Sequence, residues 1–150
     1  MKNFLLKILL FSLLICPELH AQNKVPYKEL FIDGTYALLD ENYNFALKSF
    51  LMAYEIDSSN ANINFNVGYS YLYSQYEKNL AIPYLQKAVQ NTSDRYIPFE
   101  PKEKKAPSNA YYYLGLAYRL NYNFHEATLC FEKFKRVSKL YPRKIFACDY

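Results

Sequence analysis

The chain holds three glycines in 150 residues, and their spacing constrains its fold more than any other feature. Gly34 and Gly68 stand 34 residues apart, and Gly115 follows after 47, one such period plus an insertion of 13. Glycine inside a helix costs about 1 kcal/mol relative to alanine, so glycines at matched places need a common reason. In a helical hairpin that reason is close approach, because a missing side chain lets the second helix lie against the first. The residues downstream agree. Ala46 and Phe50 come 12 and 16 residues after Gly34, and Ala127 and Phe131 take the same offsets after Gly115. After Gly68 the matching pair is Ala81 and Leu85, each displaced by one residue. Small residues at the crossing, each with a large apolar residue one turn later, are what two antiparallel helices need to interlock.

A period of 34 residues is that of the tetratricopeptide repeat, and the third copy carries its signature. Tyr111, Tyr112, Tyr113, Leu114, Gly115, Leu116, Ala117 and Tyr118 follow the W-x2-L-G-x2-Y pattern with tyrosine for tryptophan, and Ala127 to Phe131 supplies the A-x3-F element. In the second copy Val67, Gly68 and Tyr71 fit while Asn64 holds the aromatic place; in the first, Leu30 and Gly34 fit while Asp33 and Ala37 depart. The chain therefore resembles the tetratricopeptide-repeat family. The resemblance implies an all-α fold, an α-solenoid of about three helical hairpins, with repeats over 27–60, 61–94 and 108–141. The helix pairs are expected at 26–39 with 43–56, 60–74 with 79–90, and 107–121 with 124–138. Asn123 with Glu126 reads as a helix-start pair, the run 57–60 as a turn, and Pro83 as a first-turn proline. The stretch 92–107, with Pro98, Pro101 and Pro107 around Lys102, Glu103, Lys104 and Lys105, is expected to be an extended, solvated insertion.

Residues 1–21 read as a cleaved signal peptide that must be set aside first. Lys2 and Lys7 flank the start, 5–15 is apolar but too short to span a bilayer, and Ala21 offers a small residue at the cut. Ile15 before Cys16 argues against lipid attachment. The 22–150 remainder is long enough for one domain with its own core, with Pro142 opening a possible further helix over 142–150. The formal net charge of +4 is too mild to argue for nucleic acid. Cys130 and Cys148 are compatible with a bridge in an oxidising compartment but do not make a disulfide framework; Cys130, inside a predicted helix, favours a buried thiol.

The inventory offers little to catalysis. After the leader there is one histidine, His125, and the cysteines lack zinc-ligand spacing. Three scattered glycines make no phosphate-cradling loop, and the acids do not cluster as a calcium loop requires. The expectation is a protein that is not an enzyme, with no metal and no cofactor.

Stacked hairpins curve so that the first helix of each lines an inner wall. Carrying the family's inward-facing places onto this chain gives Phe31, Thr35, Leu38 and Leu39; then Asn62, Phe65, Tyr69, Leu72 and Tyr73; then Asn109, Tyr112, Leu116, Arg119 and Leu120. Tyr and Phe offer contact area, Asn62 and Asn109 can bond a peptide backbone, and Arg119 can hold a carboxylate. A tyrosine stripe at helical spacing fits inter-repeat packing equally well. The resemblance implies a protein or peptide partner in this groove.

The leader, the degenerate early repeats and the run from Ala106 to Ala127 also look like the N-terminal region of large Gram-negative envelope proteins. In those proteins the repeats precede a WD-type β-propeller and an OmpA-like peptidoglycan-binding domain, and some serve secretion or gliding machinery. That likeness implies a scaffold in the periplasm or at the outer membrane, in a larger assembly; a peptidoglycan- or glycan-associated structural protein is the alternative. Those later domains lie outside these 150 residues, so a fragment with an uncovered apolar face, prone to self-association, is expected.

Overall fold

The computed structural model describes residues 25–140, and its side-chain detail runs to residue 138. The leader expected over 1–21, the further helix expected over 142–150, and Cys148 lie outside the described residues. Six α-helices follow one another: α1 (Tyr27–Leu39), α2 (Tyr43–Ile56), α3 (Ala61–Tyr73), α4 (Ala81–Ala88), α5 (Ala110–Leu120) and α6 (Phe124–Leu140). Each packs on its neighbours in chain order, which makes an all-α helical-hairpin solenoid.

The helix ends follow from local chemistry. Asn42 caps α2 by accepting from the Phe45 N–H, and Asn60 caps α3 by accepting from Asn62 and Ile63. The turns α1–α2 and α5–α6 are alike. Glu41 and Tyr122 each sit in the left-handed region, at φ 55° and 62°. The Glu41 and Asn42 N–H groups reach back to Leu38 and Ala37, as those of Tyr122 and Asn123 reach Arg119 and Tyr118. Both are Schellman ends in which the left-handed place, usually glycine, holds a side chain. The second hairpin differs. A longer turn and a 3-10 stretch (Lys78–Leu80) lead into α4, whose Pro83 falls in the first turn, where a missing N–H does least harm.

Two cores share α3 as a wall. Leu30, Phe31, Leu47, Phe50, Ile63 and Val67 form the first, and Phe65, Leu72, Leu85, Tyr113, Leu114 and Ala117 the second. Residues 61–68 are buried on every side, the expected state of a central helix with neighbours all round. At each hairpin crossing the large residue lies over its glycine: Phe50 over Gly34, Leu85 over Gly68 and Phe131 over Gly115.

The insertion departs from the sequence expectation of a solvated loop. Its base is stitched by a two-residue parallel pair, β1 (Thr92–Ser93) with β2 (Ala106–Pro107), in which Thr92 faces Ala106 and Ser93 faces Pro107. Ala106 and Pro107 are buried, and the Ala61 N–H at the start of α3 donates to the Lys104 carbonyl. Proline stops the helix here but leaves an ordered turn free to fold back, and two aromatic side chains give it something to bury.

Candidate functional groove

The first helices of the three hairpins contribute to one face. Phe31, Thr35 and Leu38 come from α1, Phe65, Asn66 and Tyr69 from α3, and Asn109 and Tyr113 from the start of α5. Tyr96 and Phe99 of the insertion close over them, leaving a cavity of about 30 Å³, room for little more than water. The wall is aromatic. Phe65 and Tyr69 meet the Tyr113 ring edge-on at 5.8 and 4.9 Å between centroids, and Tyr69 continues to Tyr73 at 4.8 Å. Such edge contacts add about 0.5–1.5 kcal/mol each beyond the area they bury.

Polar contacts concentrate on α3, in a run of asparagines one residue apart. Asn62 is fully buried. Its Oδ1 accepts from the Tyr96 hydroxyl at 2.9 Å and from Asn66 Nδ2 at 3.0 Å, while its Nδ2 donates to the Glu103 carbonyl at 3.4 Å. Asn66 Nδ2 also donates to the Asn62 carbonyl, and the Ser70 hydroxyl to that of Asn66. Thr35 turns its hydroxyl back to the Phe31 carbonyl, which lets a polar residue stand in an apolar wall. Two buried oxygens, Asn64 Oδ1 and Asn109 Oδ1, have no hydrogen-bond partner, a condition that costs about 1–3 kcal/mol each. Asn109 is one of the residues that line the groove.

The insertion is held at its edge as well. Lys104 reaches Asp57 at 2.6 Å and lies 5.5 Å from the centre of the Tyr27 ring, whose hydroxyl accepts from Asn60 Nδ2. The hydrogen bond from Lys104, then that from Ser59, holds the Asp57 carboxyl below the usual carboxylate range. Burial, with Asp57 adding to it, pushes the Tyr27 phenol well above its ordinary value. Glu103 folds the insertion on itself, since its carboxylate accepts from the Ile97, Lys104 and Lys105 N–H groups. Phe99 sits in the left-handed region at φ 60°, where a bulky residue is strained by about 1–3 kcal/mol.

Of the groove residues expected from sequence, Phe31, Thr35, Leu38, Phe65, Tyr69 and Asn109 surround the cavity. Asn62 lies beneath the insertion and Tyr73 extends the aromatic row at an exposed end. Tyr112 rests on Phe131 and Phe134 of its own hairpin, because the ring one turn before Gly115 tilts over α6. Leu116 packs beside the second core, and Arg119 is exposed. Four contributors were missed: Asn66, Tyr113, Tyr96 and Phe99. Tyr96 and Phe99 carried a signal, two aromatics three apart in a stretch otherwise proline and charge.

Cys130 is half-buried, and burial, then Glu126, raises its thiol. His125 is exposed. Among the described residues no group of His, Cys, Asp and Glu is placed to hold a metal ion, and no helix is long and apolar enough to cross a membrane. Compared with protein-family models and with curated proteins, the chain matches none.

Proposed function

We propose that this chain is a tetratricopeptide-type scaffold of the bacterial envelope whose inner groove holds an extended segment of a partner protein. One observation carries the reading. The chain's own insertion covers the groove as a bound segment would: Tyr96 and Phe99 line its cavity, and the Tyr96 hydroxyl and the Glu103 carbonyl bond the buried Asn62 beside it. The repeat assignment is supported by three crossings of glycine with a large residue at offsets of 16 or 17, and by matching Schellman turns at Glu41 and Tyr122. The envelope location rests on the leader-like 1–21 segment and on the likeness of the early repeats and the run 106–127 to Gram-negative envelope proteins.

The test is site-specific photocrosslinking in the native envelope. A photoreactive residue at Leu38 or Tyr73 reports the groove; one at Lys48, on α2 away from it, reports the outer face. A defined protein crosslinked from the first two positions, and lost on Asn109→Ala with Tyr69→Ala at unchanged helicity, is the expected result. Crosslinks from Lys48 alone, or retention of the chain on purified peptidoglycan without a protein partner, would count against it.

A further inference from the structure

The insertion meets the groove as a ligand would, and the fit is incomplete in an informative way. Asn62 presents a fully buried acceptor and donor, one to a phenol and one to a backbone carbonyl. A segment that replaced the insertion without supplying both would leave that amide unpaired. Phe65, Tyr69 and Tyr113 offer ring edges beside the places where Tyr96 and Phe99 enter. Asn109, which lines the same cavity, has a buried Oδ1 that receives nothing from the insertion.

We infer that residues 94–103 are an internal competitor for the groove. The partner they exclude is a peptide that carries a tyrosine and a second aromatic residue three positions later in a similar turn. This rests on the reading of the groove as a peptide site. The peptide takes the Tyr96 and Phe99 places, and a donor on it reaches Asn109 Oδ1. The insertion is arranged to leave. Its base is held by the Thr92–Ala106 pair and by the Ala61 to Lys104 bond, both outside the cavity, so the tip lifts without parting the hairpins. Glu103 keeps the tip folded on itself, so it moves as a unit. Ile97 and Phe99 are 58% and 40% exposed, and the left-handed Phe99 relaxes once its ring is out. An occupied groove lowers apparent affinity in proportion to the open fraction.

Fluorescence anisotropy with a labelled synthetic peptide of sequence 93–104 tests this on the full chain. A control peptide carries alanine at both aromatic places. The double variant Tyr96→Ala/Phe99→Ala should bind the peptide about tenfold or more tightly than the native chain, and neither should bind the control. Tyr96→Phe, which removes one oxygen and preserves packing, should gain about threefold on the scale of a single neutral hydrogen bond. Equal affinity of native and variant chains overturns the competition while leaving the groove reading intact. Absence of binding by every chain overturns both. Should the double variant lose helicity, the Tyr96→Phe comparison decides, and an unchanged affinity there overturns the inference.

Discussion

The ring of Phe50 stands 2.7 Å from the point that a Cβ on Gly34 would occupy, so the first hairpin closes on the absence of one methyl group. Gly115 and Phe131 repeat the arrangement at 2.6 Å.

Gly34→Ala should therefore destabilise by about 1–2 kcal/mol, the strain of overpacking exceeding the gain of about 1 kcal/mol in helix propensity. With Phe50→Ala in place the sign should reverse, and the added methyl should stabilise that background by up to about 1 kcal/mol. Urea unfolding of the four chains of the cycle measures the coupling. Equal effects of Gly34→Ala in both backgrounds would show that the ring does not require the glycine.

Glu41 and Tyr122 hold the left-handed places of two Schellman turns. Glycine there removes the steric strain, so Glu41→Gly and Tyr122→Gly should each stabilise by about 0.5–1 kcal/mol. The same change at an exposed place well inside the following helix, Lys48 or Glu132, should destabilise by about 1 kcal/mol. Thermal melts of the four variants separate the two cases.

Asn62 is the groove's main polar hold on the insertion, and Asn62→Ala leaves the Tyr96 hydroxyl and the Glu103 carbonyl without it. The expected loss is about 1–3 kcal/mol, concentrated in local opening. Limited trypsin digestion should then cut faster after Arg95 and Lys102, with cuts after Lys48 in α2 and Lys133 in α6 unchanged. A uniform acceleration at every site would instead indicate global unfolding.

The Asp57 carboxyl, lowered by Lys104 and Ser59, makes the attachment of the insertion sensitive to acid. A depressed folded pKa adds stability that is present above the ordinary carboxylate value of about 4 and is lost as pH falls through the folded value. Lys104 is 61% exposed, so screening holds the effect below about 1 kcal/mol. Asp57→Asn should cost a few tenths of a kcal/mol at pH 7 and nothing near pH 2. Unfolding titrations at the two pH values, repeated in 1 M salt, check both the sign and the screening.

Sequence carries the hairpins because a glycine facing a large residue across a crossing fixes an offset, and the offset recurs. Ala46, Ala81 and Ala127 are buried in the same hairpins. The groove was less legible. Proline and lysine dominate 98–105, and their usual meaning, a solvated stretch, hides two rings that find partners only once three helices are assembled. The spacing of Asn60, Asn62, Asn64 and Asn66 reads as turn chemistry, since asparagine favours caps. Asn60 instead caps the helix and meets Tyr27, and Asn62 receives Tyr96, while Asn64 and Asn66 each return to the carbonyl four residues back, Asn66 bonding the Asn62 side chain as well. No local rule distributes those roles. Tyr112 shows the opposite failure. It was expected to face inward, yet Phe134, standing where Ala53 and Ala88 come three residues after Phe50 and Leu85, meets its ring on α6.

The parallel stitch of Thr92 with Ala106 brings the two ends of the insertion side by side at the junction of the second and third hairpins. Everything between them is thereby a cassette. Sequence of another length or chemistry can be exchanged there while the stacking of repeats keeps its pitch. The dozen residues between the stitched ends lie outside the helix-to-helix contacts that hold the hairpins together.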